Sequence, residues 1–120
     1  MRAFLAGSVA CLVLASTAFA ADFAPSYDVE GSDPGGGGGK YTGTVSVKRT
    51  GPAVYEVVWS IAGEKFTGTG IGGPDGLAVA YKSGTKTGIA IYRQGGSGAV
   101  EGVWTYAGGK QVGEENWTPR

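Results

Sequence analysis

The side chains best suited to bind a ligand in this chain are tyrosine and tryptophan, which recur at alternate positions between short glycine turns. Each has an apolar ring and a polar tip, and the tip needs a hydrogen-bond partner when it is buried. A barrel core rich in them predicts either a packed interior or a pocket completed by a ligand or water. The candidate ligand-binding residues are Tyr41, Trp59, Phe66, Tyr81, Trp104 and Tyr106.

The carboxylates form no recognisable catalytic or metal-binding pattern. Asp28, Glu30 and Asp33 lie close in sequence but match no calcium loop. A glycosidase pair would need a substrate cleft and one acid with a raised pKa, which the sequence does not indicate. In the pair Glu114–Glu115, alternation sends one side chain inward. We expect it to pair with a tyrosine hydroxyl or with Arg93 in a structural network.

Histidine is absent from all 120 residues, and Cys11 is the only cysteine. The usual general base near neutral pH, the Ser-His-Asp mechanisms and most zinc sites are therefore excluded. The sequence predicts a protein that is not an enzyme, with no cofactor and no metal site.

Residues 1–20 have the pattern of a secretory signal peptide: the basic Arg2, an apolar stretch and the Ala-x-Ala cleavage site Ala18-Phe19-Ala20. We expect cleavage after Ala20, which removes Cys11, and a periplasmic or secreted mature protein. Ten basic and ten acidic residues leave the whole chain neutral. The sequence has no basic patch of the kind that binds nucleic acid, so we expect no nucleic-acid partner.

Residues 21–120 predict one all-β domain, an eight-stranded antiparallel up-and-down (meander) barrel. The predicted strands are 26–30, 41–49, 54–62, 65–71, 77–81, 87–93, 99–106 and 111–117. Residues 21–25 are expected to be loose, residues 31–40 to form a flexible glycine-rich loop, and Gly63–Glu64 to form a hairpin turn. Glycines inside strands are expected where rings cross from neighbouring strands.

The sequence leaves open which face of the sixth strand is buried. Either Ile89 and Ile91 or Gly88, Ala90 and Tyr92 could face inward. On other strands the face opposite the aromatic residues carries Thr, Ser, Lys and Glu, which argues against insertion into a membrane.

The mature chain resembles small exported bacterial proteins commonly labelled fibronectin-binding proteins. The resemblance rests on Tyr27-x-Val-x-Gly31, Pro34-Gly-Gly-Gly, Tyr41-x-Gly43, Phe66-x-Gly-Thr-Gly-Ile71, Leu77-Ala-Val79-x-Tyr81, Gly102-x-Trp104 and Gly113-x-Glu115. It implies binding of fibronectin or another extracellular or envelope protein. The topology is also similar to the avidin and lipocalin barrels, although Gly102-x-Trp104 lies near the end of the chain rather than in the first strand.

These observations predict an exported, non-catalytic binding protein. Its partner would be an extracellular matrix or envelope protein, as the resemblance implies. The alternatives are a barrel that binds a small amphipathic ligand, and a structural envelope protein with a packed core.

Overall fold

The computed structural model describes residues 22–37 and 39–120, which form eight strands and no helix. The predicted signal peptide, residues 1–20, lies outside this part of the chain. No helix among the described residues is long and apolar enough to cross a membrane. The strands are β1 (Ser26–Ser32), β2 (Lys40–Gly51), β3 (Val54–Ile61), β4 (Glu64–Gly73), β5 (Gly76–Ser83), β6 (Lys86–Gln94), β7 (Val100–Tyr106) and β8 (Gly113–Pro119).

The strands form one closed antiparallel barrel in sequence order. Each strand pairs with the next, and β8 returns to pair with β1, with Val29 opposite Trp117. Closure leaves no strand with unpaired backbone groups along its edge. The predicted eight-stranded meander barrel is confirmed.

Period-two alternation places one side chain in two inside the barrel. The buried apolar core comprises Tyr27, Val29, Val45, Val47, Tyr55, Val57, Trp59, Leu77, Val79, Ala90, Tyr92, Val100 and Trp117. In β6 the inward residues are Ala90 and Tyr92, whereas Ile89 and Ile91 are 62% and 61% exposed. The tertiary structure thus decides a choice that the sequence left open.

Several glycines lie where a ring from the neighbouring strand covers the backbone. Gly102 faces Tyr92 directly across the β6–β7 pair, and Gly88 faces Tyr81 across β5–β6. A Cβ atom added at either glycine would overlap the facing tyrosine ring. The predicted role of these glycines, room for rings from adjacent strands, is confirmed.

The hairpin between β3 and β4 turns one residue earlier than predicted. Ala62 and Gly63 form the turn, both with positive φ, at 52° and 80°. Two positive φ angles define the type I′ turn, whose twist matches that of the flanking strands. The prediction of Gly63–Glu64 was wrong because Gly63 takes the second turn position, and Glu64 already pairs with Ile61 in the sheet.

The segment before β1 packs against one end of the barrel instead of hanging loose. The Phe23 ring contacts Tyr55 edge to face at a centroid distance of 5.2 Å. The Tyr55 hydroxyl donates a hydrogen bond of 2.9 Å to Asp22, and the Val47 amide donates one of 3.0 Å to the Pro25 carbonyl. These contacts cover that end of the core, so the expectation of a loose segment was wrong.

Candidate functional site

The end of the barrel opposite Phe23 contains a cavity of about 190 Å³ that opens to the surface. It lies where β1, β3, β5 and β7 end and β2, β4, β6 and β8 begin. Its lining comprises Asp33, Tyr41, Trp59, Ile61, Phe66, Tyr81, Tyr92, Trp104 and Glu115. The barrel is therefore packed at one end and open at the other.

Five of the six candidate ligand-binding residues line this cavity: Tyr41, Trp59, Phe66, Tyr81 and Trp104. The sixth, Tyr106, is 53% exposed and is not part of the lining. It is the last residue of β7, so it lies at the rim of the barrel where the strand gives way to a turn. The prediction that Tyr106 points into the interior was wrong.

Aromatic rings form the wall of the cavity, with Tyr81 at the centre of the set. Its ring centroid lies 6.1 Å from that of Trp59, 6.1 Å from that of Phe66 and 6.3 Å from that of Trp104. All three contacts are edge to face, the arrangement that the quadrupoles of aromatic rings favour. Each ring therefore fixes the orientation of the next around the opening.

The polar floor of the cavity is the carboxylate of Glu115, which is only 4% exposed. Its Oε1 accepts hydrogen bonds from Trp117 Nε1 at 2.7 Å, Tyr92 Oη at 2.8 Å and Trp59 Nε1 at 3.0 Å. Its Oε2 accepts one from Tyr41 Oη at 2.6 Å. An ionised carboxylate only accepts hydrogen bonds, so it matches donors that arrive from four strands.

Strand β8 places Glu115 in this position through simple alternation. Gly113, Glu115 and Trp117 are buried and the residues between them are exposed. The expected network between an inward glutamate and tyrosine hydroxyls is confirmed, whereas Arg93 contacts Glu101 on the outer surface. Trp117 was not among the predicted site residues, although it lies two residues after Glu115 and therefore on the same face of β8.

The other buried hydroxyl and indole groups have nearby hydrogen-bond partners, with one exception. The Tyr81 hydroxyl donates to the Thr105 carbonyl at 3.3 Å, and the Tyr27 hydroxyl accepts from the Ala24 amide at 2.7 Å. Trp104 Nε1 is buried and has no hydrogen-bond partner among the described residues. The protein itself thus supplies most of the partners that a ligand or water was expected to supply.

Burial and the carboxylate of Glu115 raise the pKa values of three tyrosines around the cavity. Desolvation is the largest cause for Tyr41, Tyr81 and Tyr92, followed by the negative charge of Glu115. For Tyr41 and Tyr92 the hydrogen bond to Glu115 raises the pKa further, because the phenol must keep its proton to donate.

We expect the barrel to lose stability as the pH rises above about 10, the ordinary pKa of tyrosine. The unfolded chain then releases phenol protons that the folded chain retains, so the free energy of unfolding falls with pH. Urea unfolding between about pH 9 and pH 11 measures this decline. A Tyr41→Phe variant should show a shallower decline, and an equal slope in both proteins would contradict this origin.

Three other acidic residues, Asp28, Glu30 and Asp33, are exposed to solvent. Asp28 and Glu30 are exposed on β1, and Asp28 forms a surface ion pair with Arg120 at 3.3 Å. Asp33 lies at the mouth of the cavity. Across residues 22–37 and 39–120, no three acidic side chains form a group that could hold a metal ion.

Two comparisons with known proteins give no match: no family model matches the chain, and no curated protein is similar enough to count as a relative. The function is therefore argued from the cavity and its residues.

Proposed function

We propose that this protein is a non-catalytic barrel that binds a small organic molecule in the cavity at its open end. The observation that carries the proposal is an open cavity with aromatic walls and one buried carboxylate at its floor. Ligand sites in proteins are concave and mostly apolar, with a few placed polar groups that orient the ligand.

The size of the cavity limits the ligand. Its volume of about 190 Å³ is below the range of about 300–1,000 Å³ found for sites of drug-sized ligands. A lipid or another long-chain ligand would not fit within it. The proposal is therefore a molecule of several heavy atoms, with one apolar part among the rings and one polar part near Glu115.

The test uses three probes of nearly the same shape: choline, dimethylbutanol, in which a carbon replaces the choline nitrogen, and dimethylbutanoate. Binding is followed by the indole N–H resonances of the three tryptophans. Trp59 and Trp104 line the cavity, and Trp117, below Glu115, is fully buried. We expect at least one probe to shift the Trp59 and Trp104 resonances with a Kd of about 1 mM or lower.

A matched pair of variants locates the binding. Ile61→Phe adds volume inside the cavity and should abolish the shifts, whereas Ile91→Phe makes the same change on the outer surface and should retain them. If none of the three probes binds, or if Ile61→Phe leaves binding intact, the proposed function is wrong.

A second candidate, binding of fibronectin or another extracellular protein, is favoured by an apolar row on the outer surface. Ile71, Ala78, Ile91 and Val103 face one another in register across β4, β5, β6 and β7. All four are exposed. Exposed apolar patches of this kind mark interaction surfaces. Saturable binding to immobilised fibronectin that is lost in Ile91→Lys would support it, and no saturable binding at micromolar concentration would remove it.

Export of the protein is part of both proposals. The pattern of residues 1–20 supports it. The mature protein would begin at Ala21, which mass measurement of the protein recovered from the periplasm or the medium would test.

A further inference from the structure

The lining of the cavity is acidic and aromatic, with no basic side chain among the residues that the structure describes. It contains two carboxylates, Glu115 at the floor and Asp33 at the mouth. Lys86 lies near one lining residue, with its Nζ 5.9 Å from the centroid of the Phe66 ring. Lys86 is also paired with Glu64 at 3.0 Å, so its charge is already balanced.

Among the described residues, no basic side chain forms an ion pair with the buried carboxylate of Glu115. Its four hydrogen-bond donors are neutral phenol and indole groups. The ion pairs of residues 22–37 and 39–120 involve Asp22, Glu64, Glu101 and Asp28, all at least partly exposed. A buried carboxylate that is hydrogen-bonded but not neutralised attracts a cation strongly, because the surrounding medium screens the charge poorly.

The walls of the cavity suit the same kind of ligand. Six aromatic side chains line the cavity: those of Tyr41, Trp59, Phe66, Tyr81, Tyr92 and Trp104. The faces of aromatic rings carry negative potential, and groups of such rings bind quaternary ammonium ions. The distance of 5.9 Å from Lys86 Nζ to the centroid of the Phe66 ring is within the range of a cation–π interaction.

We infer that the ligand of this cavity is a small organic cation, with an alkylammonium or quaternary ammonium group held between the aromatic rings above Glu115. This inference rests on the proposed function and names the class of ligand. An ammonium group with methyl substituents combines the two properties of the site: its apolar surface fits the rings, and its charge complements the carboxylate. The Asp33 carboxylate at the mouth favours entry of the same charge.

The test is the order of affinities among the three probes of matched shape. Choline should bind at least about tenfold more tightly than dimethylbutanol, since cation–π contacts and the carboxylate act only on the charged probe. Dimethylbutanoate should bind more weakly than either. Added salt should weaken the binding of choline and leave that of dimethylbutanol nearly unchanged.

Two carboxylate variants separate the contributions of charge. Glu115→Gln should weaken the binding of choline at least about tenfold more than that of dimethylbutanol, because only choline carries a charge that the carboxylate complements. Glu114→Gln, the adjacent exposed residue, is the matched control and should change neither. Asp33→Asn, at the exposed mouth of the cavity, should weaken the binding of choline about threefold. This measurement tests the role of charge even if Glu115→Gln does not fold.

The outcomes separate the two proposals. If choline binds best and the carboxylate variants weaken it, the inference stands. If dimethylbutanol or dimethylbutanoate binds as well as choline, the inference is overturned while the proposed small-ligand function stands. If no probe binds, both are overturned.

Discussion

Replacing Glu115 with leucine is expected to destabilise the barrel by at least about 4 kcal/mol. The leucine would remove the acceptor that Trp59 Nε1, Trp117 Nε1 and the Tyr92 hydroxyl share, and all three donors are buried. The Tyr41 hydroxyl would also lose its acceptor. Each buried donor left without a partner costs about 1–3 kcal/mol. A domain of this size has a total stability of about 5–15 kcal/mol, so the variant would lie near the limit of folding.

Urea unfolding followed by tryptophan fluorescence measures this effect. The matched control is Glu114→Leu, because Glu114 is the preceding residue in β8 and points outward. It should change the free energy of unfolding by no more than about 0.5 kcal/mol. A loss below about 1 kcal/mol for Glu115→Leu would mean that the four hydrogen bonds contribute little to the fold.

Glu115→Gln should be much milder than Glu115→Leu, with a loss of about 1–2 kcal/mol. The amide oxygen can still accept from the two indole N–H groups, and the amide nitrogen can donate to the Tyr41 hydroxyl, which also accepts. This difference makes glutamine the suitable variant for the binding test, since it removes the charge and retains the shape.

The second large effect is expected at Gly102, where Gly102→Ala should cost about 3 kcal/mol. The new Cβ would lie 2.5 Å from the Ile91 carbonyl oxygen and would overlap the Tyr92 ring. The carbonyl belongs to the β6 backbone and has little freedom to move. The ring cannot shift without disturbing the hydrogen bond from Tyr92 to Glu115, so strain at Gly102 reaches the floor of the cavity.

Gly73→Ala is the matched control for Gly102→Ala. Gly73 also lies in a strand, but a Cβ there would meet no atom within 4 Å, and its φ is not in the positive range. We expect Gly73→Ala to be neutral or to stabilise the barrel by up to about 1 kcal/mol, because alanine restricts the unfolded chain. Thermal unfolding of the two variants would contradict the argument if they lost equal stability.

Most of the fold follows from local pattern. Alternation and short glycine turns predict all eight strands, and short loops between consecutive strands leave a meander as the simplest connection. The same alternation placed Tyr41, Trp59, Phe66, Tyr81 and Trp104 on the inner face, where they line the cavity. It failed at Tyr106, because parity along a strand does not tell where the barrel ends.

Other features depended on where the chain runs in three dimensions. Ile89 and Ile91 are more hydrophobic than Gly88 and Ala90, yet the isoleucines are exposed. The register of β6 with β5 and β7 places Ala90 between Val79 and Trp104, whose side chains already occupy the interior. A small residue therefore takes the inner position between them, which hydrophobicity alone would not have indicated.

The class of fold and the residue types of the interior follow from the amino-acid sequence, because alternation, turn residues and the lack of histidine are read directly along the chain. The tertiary structure alone decided that one end of the barrel is packed by Phe23 and Trp117 while the other end stays open. It also decided that a single carboxylate, Glu115, collects donors from β2, β3, β6 and its own strand. Closure brings these strands around one axis, and distances across a barrel are not encoded in the spacing of residues along the chain.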